Sequence, residues 1–503
     1  MTATETELKT INHFIGGQLV PSTSGRTGIV WNPATGEPQA RVGLASAEEV
    51  DAAVARAKAA WPAWRDTPLS KRSEILFRLR ELVDQNRRRI AEAITMEHGK
   101  TLPDALGEVA RGLECIEYAC GIPTLLKGEF SEQVSRGVDV LQVRQAHGVV
   151  AGITPFNFPA MVPLWMFPNA LACGNCFILK PSEKDPSASL VLAELIHQAG
   201  FPAGVFTVLQ GDKVAVDGLL NHPDVKAISF VGSTPIARYI YETGTKNGKR
   251  VQALGGAKNH MVVLPDADIN MAADAAVSAG FGSAGERCMA ISVLVAVDSV
   301  ADPLIAAIRE RMEKIKVGPG IDPTSEMGPL ISREHRDKVA SYMDSAREEG
   351  ATVTVDGRDH PISKSPGFFL GTSLIDNVKP GMKCYNDEIF GPVLNVARVK
   401  TYEEALNMIN SNPFANGVAI FTRDGGVARQ FQMEVEVGMV GVNVPIPVPV
   451  AFHSFGGWKS SLFGDLHMYG PEGIKFYTRN KVITSRWPDP STSAVNLGFP
   501  QNR

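Results

Sequence analysis

The fold is decided by the stretch Gly148-Val-Val-Ala-Gly-Ile-Thr154, which leads directly into the polar turn Pro155-Phe-Asn157. A short apolar run without alternation is typical of a strand that is buried on both faces. The chain then repeats this pattern, with further strands predicted at 176–180, 205–210 and 225–231 and helices predicted after the first, second and fourth strands of the series. For the helix after residue 180, we predict Asp185 as the N-cap, Pro186 in the first turn and Gly200 just past the end.

A second series of alternating strands and helices begins after Ala257. Its strands are predicted at 260–264, 291–297, 391–399, 418–421 and 439–444, with helices at 334–349 and 402–410. Strands that alternate with helices form parallel sheets through right-handed crossovers. We therefore expect an α/β protein with a nucleotide-binding domain (1–123 and 147–256) and an α/β catalytic domain (257–473). Residues 489–503 are rich in Pro, Ser and Asn, which predicts a disordered tail.

The composition excludes several functional classes. A net charge of −4 over 503 residues, without a long basic run, argues against nucleic-acid binding. There is no apolar run of the about 18 residues that a membrane span needs, and the N-terminus has no signal-peptide pattern. Six cysteines suit a reducing compartment, so we expect a cytoplasmic protein. The spacing of Cys173 and Cys176 would allow metal or redox chemistry, but nothing else completes such a site, and we expect no metal.

Cys288 is the candidate nucleophile. It lies in Gly282-Ser-Ala-Gly-Glu-Arg-Cys288, where small residues allow a ligand to approach closely. The adjacent Arg287 is expected to lower the pKa of the thiol and to increase the reactive thiolate fraction. The alternative is a buried structural cysteine, which is the commoner role of a free cysteine.

Polar residues follow three of the predicted strands, at the edge where open parallel sheets bind ligands. Asn157 offers an amide donor for an oxyanion, although it is also a common turn residue. Lys180 and Glu183 suit ribose hydroxyls, and the carboxylate favours NAD over NADP; a surface ion pair is the alternative. Ser233 begins a helix whose free N–H groups suit a pyrophosphate, or it simply caps that helix. The usual G-x-G-x-x-G fingerprint is missing.

In this order and spacing the motifs resemble those of the aldehyde dehydrogenase superfamily, from Asn12-His-Phe-Ile-Gly-Gly to Ile474-Lys-Phe-Tyr-Thr. The resemblance implies a cysteine thiohemiacetal, hydride transfer to NAD and a thioester. It assigns catalysis to Cys288 and Asn157, with the Cys288 N–H as a second oxyanion donor. The cofactor-binding residues that it implies are Thr154, Phe156, Lys180, Glu183, Gly232, Ser233, Glu388 and Phe390. It also implies a homo-oligomer, a dimer or tetramer, built through residues 124–146 and 474–488.

One departure from the superfamily pattern concerns deacylation. Hydrolytic members have a Glu before the Leu-Gly-Gly motif, and here that position is Ala253. Water, with a pKa of about 15.7, needs a base to attack a thioester. A thiol with a pKa of about 8.5 does not, so coenzyme A is the expected acyl acceptor. Glu286 is a candidate replacement base, which leaves a hydrolytic aldehyde dehydrogenase as the alternative.

The missing base, together with Gly285-Glu-Arg-Cys-Met-Ala and Gly441-Val-Asn-Val-Pro, is similar to the pattern of the CoA-acylating methylmalonate-semialdehyde dehydrogenase branch. This branch converts malonate and methylmalonate semialdehydes to acetyl-CoA and propionyl-CoA with loss of CO₂. The resemblance assigns Arg287 and Arg111 to the substrate carboxylate. From the helical pattern alone, Arg111 reads as a solvated cation paired with Glu108.

Overall fold

The computed structural model describes residues 8–488 together with residues 491, 495, 497 and 498. The predicted disordered tail therefore lies largely outside the described residues. The chain begins with the short strands β1 (Thr10–Ile11), β2 (His13–Ile15), β3 (Gln18–Val20), β4 (Thr27–Asn32) and β5 (Glu37–Gly43). Helices follow: α1 (Ala47–Arg65), α2 (Leu69–Gln85), α3 (Arg87–His98), α4 (Leu102–Cys120) and α5 (Ile122–Leu125). A hairpin of β6 (Glu129–Ser135) and β7 (Val138–Ala146) comes next.

The next part of the chain is the predicted strand–helix series. Its strands are β8 (Val149–Ile153), β9 (Cys176–Lys180), β10 (Phe206–Val208), β11 (Val225–Val231) and β12 (Arg250–Leu254). Its helices are α6 (Met161–Ala172), α7 (Ser187–Ala199), α8 (Lys213–Asn221) and α9 (Thr234–Lys246). Strand β12, which contains Ala253, was not predicted because its five residues have no clear strand pattern.

The second series contains the strands β13 (Asn259–Val263), β14 (Ile291–Val297), β15 (Thr352–Val355), β16 (Ser373–Asp376), β17 (Val393–Val399), β18 (Phe414–Ala415), β19 (Gly417–Phe421) and β20 (Met439–Val442). Its helices are α10 (Ile269–Phe281), α11 (Ala301–Met312), α12 (Arg333–Glu348), α13 (Lys383–Asn386), α14 (Tyr402–Asn410) and α15 (Gly425–Glu434). The chain closes with β21 (Trp458–Lys459), β22 (Leu462–Phe463), α16 (Gly470–Phe476) and β23 (Thr478–Arg486).

Two large sheets carry the fold. Within the described residues, the first has the strand order β22-β12-β11-β8-β9-β10-β2-β3, and its central strands β12 to β10 are parallel. The second has the order β15-β16-β17-β14-β13-β19-β20, parallel except for β15. The predicted α/β class is therefore confirmed. In the first sheet the strands β9 and β10 are added on one side of β8, and β11 and β12 are added on its other side. The strand order reverses at this point, so a ligand crevice is expected between the carboxyl ends of β8 and β11.

A third sheet of β6, β7 and β23 stands apart from these two, and β7 pairs with β23 along its whole length. These strands fall within the segments predicted for oligomerisation. No helix in the described part of the chain is both long and apolar enough to cross a bilayer.

Helix α7 begins differently from the prediction. Its first residue is Ser187, and the Asp185 side chain does not cap it. The carboxylate of Glu97, on α3, accepts hydrogen bonds from the Ser187 N–H at 2.9 Å and from its hydroxyl at 2.5 Å. Asp185 is instead buried, which raises its pKa well above the usual value. The cap comes from a residue distant in sequence, so local spacing could not reveal it.

Helices α4 and α6 pack tightly at Gly112. A Cβ on Gly112 would lie 2.4 Å from Leu164 Cδ1, whereas one on Gly107 of the same helix would meet no atom within 4 Å. We expect Gly112→Ala to destabilise the protein by about 1–3 kcal/mol through overpacking. Gly107→Ala should stabilise it by about 0.5–1 kcal/mol, because alanine favours the helix. Urea unfolding measures both, and equal effects of the two substitutions would contradict this packing.

Candidate active site

Cys288 lies on a constrained loop between α10 and β14. Ser283 and Ala284 adopt left-handed backbone angles, with φ of 53° and 51°, which are unfavourable for residues with a Cβ. Gly285 follows with φ of 75°, and a Cβ there would lie 2.1 Å from the Gly391 carbonyl oxygen. Only glycine fits at that close approach, so the backbone of the loop before Cys288 is held in one conformation.

Two asparagines hold the backbone of the nucleophile. The Cys288 carbonyl accepts hydrogen bonds from Asn259 Nδ2 at 2.9 Å and from Asn416 Nδ2 at 3.2 Å. Asn259 also donates to the Ala290 carbonyl, and both asparagines are buried. Sequence reasoning missed both residues. The available signal was a polar residue at the start of a buried strand, in Lys258-Asn259-His260.

The thiol of Cys288 is not acidic. Burial raises its pKa to about 12, and the negative charge of Glu388 adds to this rise. Arg287 lowers the pKa by less than these two effects raise it. The expected direction of the Arg287 effect is therefore confirmed, but the expected increase in the thiolate fraction is wrong for the protein without ligands, because burial and Glu388 outweigh the arginine. Arg287 is itself paired, since its Nη2 lies 2.6 Å from Asp104 Oδ1.

Cys288 borders a cavity of about 300 Å³ in which both predicted carboxylate-binding arginines meet. Arg287 and Arg111 line this cavity together with the apolar side chains of Phe158, Trp165 and Phe455. The structure thus places two arginines that are distant in sequence in the lining of one cavity, beside the candidate nucleophile.

Arg111 is not paired with Glu108, contrary to the helical-pattern interpretation. Its Nη1 donates to both carboxylate oxygens of Glu114, at 2.8 and 2.9 Å, and its Nη2 donates to the Pro449 carbonyl at 2.9 Å. Arg111 is half-buried, and it joins α4 to the loop that closes the cavity.

Glu108 belongs to a buried ion pair that supports the Asn157 turn. Lys100 Nζ lies 2.8 Å from Glu108 Oε2 and donates to the Asn157 carbonyl at 2.6 Å. The other oxygen, Oε1, accepts the N–H groups of Ala160 and Met161 at the start of α6. This arrangement fixes the turn after β8 on both sides of Asn157.

Asn157, the predicted oxyanion donor, lies between the nucleophile loop and a second cavity. Its Nδ2 donates to the Glu286 carbonyl at 3.0 Å, so the amide is anchored to the loop that carries Cys288. Asn157 and Cys288 both line the second cavity, of about 200 Å³, which lies at the carboxyl ends of β8 and β11.

The second cavity collects most of the residues predicted to bind the cofactor. Its lining includes Phe156, Gly232, Ser233, Glu388 and Phe390. Ser233 precedes α9 without a side-chain cap, which leaves the N–H groups of that helix for a ligand. Glu388 Oε1 accepts the Ala257 N–H at 2.9 Å, and burial raises the Glu388 pKa to about 7.

The remaining predicted cofactor residues lie at the ends of β8 and β9. Lys180 Nζ is 3.1 Å from Glu183 Oε2, with Lys180 buried and Glu183 partly exposed. Burial acts to raise the Glu183 pKa, but Lys180 and hydrogen bonds hold it below the usual value. The Thr154 hydroxyl is buried without a hydrogen-bond partner among the described residues. These features fit a dinucleotide along this edge.

Glu286 does not face either cavity at Cys288. Its Oε1 accepts the Ile331 N–H at 3.2 Å, and its carboxylate lies 3.7 Å from His98 and 3.6 Å from His335. Burial raises the pKa of Glu286 to about 8, so it is mostly protonated at pH 7. A buried carboxyl that faces away from the thiol is a poor base for deacylation.

A cysteine, an amide donor and the residues predicted to bind a dinucleotide surround one cavity at the carboxyl ends of β8 and β11, which is the arrangement expected of an aldehyde-oxidising enzyme. The sequence matches the Aldehyde dehydrogenase family over residues 19–483, and the chain belongs to that family. It is an oxidoreductase with the aldehyde dehydrogenase fold.

Particular relatives are more informative still. A malonate-semialdehyde dehydrogenase of Pseudomonas aeruginosa is 57% identical over 98% of this chain and 99% of its own length. The crystal structure of a methylmalonate-semialdehyde dehydrogenase from Oceanimonas doudoroffii is 54% identical, with a TM-score of 0.95, and covers 96% of this chain and 99% of that one. A Sinorhizobium meliloti structure complexed with NAD is 52% identical, also with a TM-score of 0.95, over 97% of this chain and all of that one.

The raised thiol pKa predicts slow alkylation in the absence of ligands. The rate constant for inactivation by iodoacetamide should rise about tenfold per pH unit between pH 7 and 10, because only the thiolate reacts. Glu388→Gln should accelerate the reaction at pH 8, since it removes a negative charge that raises the pKa. The surface substitution Glu436→Gln serves as the control. A plateau below pH 9 in the unsubstituted protein would show that the thiol is acidic.

The buried pair at the Asn157 turn predicts a large effect of Lys100→Met. Loss of the ammonium leaves Glu108 buried and unpaired, which should cost about 3–5 kcal/mol of stability. Lys58→Met, at an exposed ion pair with Asp224, should cost less than about 1 kcal/mol. Urea unfolding measures both variants. Similar losses of stability in the two variants would mean that the Lys100 ion pair contributes no more than an ordinary surface ion pair.

Proposed function

We propose that this protein is an NAD-dependent, CoA-acylating dehydrogenase for malonate and methylmalonate semialdehydes. The observation that carries the proposal is the cavity in which Arg111 and Arg287 meet beside Cys288. Two arginines in a partly apolar cavity favour a substrate that carries a carboxylate one carbon away from its aldehyde carbon. The relatives named above act on substrates of this type.

In this reaction the Cys288 thiol gives up its proton to water and the thiolate attacks the aldehyde carbon, so that a C–S bond forms and the electron pair of the carbonyl π bond becomes an alkoxide lone pair. Asn157 Nδ2 and the Cys288 N–H donate hydrogen bonds to this oxyanion. NAD, when bound, accepts the hydride and its electron pair, which leaves an acyl thioester on Cys288. The crevice residues hold the cofactor: Lys180 and Glu183 at the adenosine ribose, Ser233 at the pyrophosphate, and Glu388 and Phe390 at the nicotinamide half.

The thioester has a carboxylate on the carbon next to its carbonyl. Cleavage of that C–C bond releases CO₂, and the electron pair moves into the thioester carbonyl, which can delocalise it. Protonation at carbon then gives an acetyl or propionyl thioester. The thiolate of coenzyme A attacks this thioester, and the Cys288 thiolate leaves.

Hydrolysis is the less favoured outcome because the base of hydrolytic members is missing and three nearby carboxyl groups already have partners. Ala253 is buried in β12 at the position of the hydrolytic base. Asp104 is paired with Arg287, Glu108 with Lys100, and Glu286 faces the histidines His98 and His335. None of these contacts supports activation of water, whereas a thiol acceptor needs little help.

We further propose a cytoplasmic homo-oligomer, a dimer or tetramer. The sheet of β6, β7 and β23 exposes large apolar side chains, namely Phe130, Val134, Val482, Ile483 and, just after β23, Trp487. Apolar side chains of this kind are typical of an interface between copies of a chain. The six free cysteines suit a reducing compartment.

The decisive experiment is turnover with and without coenzyme A. With malonate semialdehyde and NAD alone, we expect one burst of NADH per active site and then almost no further formation. Added coenzyme A should restore steady turnover and yield acetyl-CoA. Cys288→Ala should abolish the burst. Steady NADH formation without coenzyme A would establish the hydrolytic reaction instead.

A further inference from the structure

Helix α4 presents an acidic side chain to the substrate cavity that the proposed reaction does not use. Asp104, Gly107, Glu108 and Arg111 line the cavity at the spacing of one helix face. Asp104 Oδ1 accepts a hydrogen bond from Arg287 Nη2 at 2.6 Å, and both side chains are mostly buried. A carboxylate here is unexpected, because the substrate proposed for this cavity is itself negatively charged.

Arg287 lines two separate cavities. It lines the cavity that contains Cys288, and it also lines another of about 380 Å³ on its far side. The far cavity contains the carboxylates Asp274 and Glu326. Among the described residues, Asp104 is the side chain that holds the Arg287 guanidinium by a hydrogen bond.

We propose that Asp104 is a positioning residue that gives the enzyme its selectivity for carboxylate-bearing aldehydes; this rests on the proposed function. By holding Nη2, Asp104 keeps the guanidinium beside Cys288, and the N–H groups that it does not use remain for the substrate carboxylate. Without Asp104, the arginine side chain is free to turn away from Cys288 toward Glu326 of the far cavity, because Asp274 there is already paired with Arg311. Gly282 allows this placement, since a Cβ there would lie 2.5 Å from Arg287 Nη1.

Whether removal of Asp104 weakens or strengthens binding of an anionic substrate distinguishes a positioning role from a purely electrostatic one. If Asp104 contributed only a negative charge, its removal would strengthen binding of an anionic substrate. If it positions Arg287, its removal weakens binding of that substrate. Uncharged aldehydes do not contact the guanidinium and should respond to neither effect.

The test compares malonate semialdehyde with propanal in the NADH burst without coenzyme A. Asp104→Ala should raise the KM of the burst for malonate semialdehyde at least about tenfold, as loss of a charge-assisted hydrogen bond does. The limiting burst rate for malonate semialdehyde should change less than about twofold. The ratio of limiting burst rate to KM for propanal should also change less than about twofold. Asp104→Glu, which keeps the carboxylate, should recover part of the loss. Glu117→Ala, an exposed residue of α4 paired with Arg80, is the matched control.

Two results would overturn the proposal. A lower KM for malonate semialdehyde in Asp104→Ala would show that Asp104 acts by repulsion alone. Equal losses with propanal would show a general structural role. Neither result depends on the acyl acceptor, because the burst precedes deacylation. Steady turnover of the wild-type enzyme without coenzyme A would refute the proposed function. The comparison of malonate semialdehyde with propanal in the Asp104 variants would still be valid in that case.

Discussion

The active site depends on the buried ion pair between Lys100 and Glu108. Burying two charges is costly, and the cost is offset only when other hydrogen bonds satisfy the remaining donors and acceptors. Here they do so, because Lys100 also donates to the Asn157 carbonyl and Glu108 accepts two N–H groups of α6. The energy of the pair is therefore coupled to the position of the Asn157 turn. A shift of α4 against α6 would break the hydrogen bonds from Lys100 to the Asn157 carbonyl and from α6 to Glu108, and would displace the oxyanion donor.

The two large sheets supply complementary halves of the site. The turns after β8 and β11 provide Asn157 and Ser233, while the segments before β14 and β17 provide Cys288 and Glu388. Cross-sheet hydrogen bonds fix this arrangement, from Asn157 Nδ2 to the Glu286 carbonyl and from the Ala257 N–H to Glu388. Within the second half, the buried Lys258 donates to the carbonyls of Cys384 and Asp387 just before Glu388, which holds the Glu388 segment against the start of β13. Neither half contains the nucleophile, the oxyanion donor and the nucleotide crevice by itself.

Sequence patterns were sufficient where the physics is local. The apolar runs at 148–154 and 225–231 gave the parallel strands, and the small residues around Cys288 singled out that cysteine. They failed where the outcome depends on contacts between distant residues. The cap of α7 comes from Glu97 rather than Asp185, and Glu108 pairs with Lys100 rather than Arg111. The thiol pKa is set by burial, which the adjacent arginine does not reveal.

The same pairing of charges explains how one site can favour an anionic substrate and a thiol acceptor. Each arginine of the cavity has its own carboxylate, Arg287 with Asp104 and Arg111 with Glu114, so the cavity is nearly neutral before substrate binds. An isolated pair of cations would be costly to bury, and it would attract any anion. Carboxylates held as counterions position the guanidinium groups and are poor bases for water. Selectivity for the substrate and resistance to hydrolysis therefore follow from one arrangement of charges.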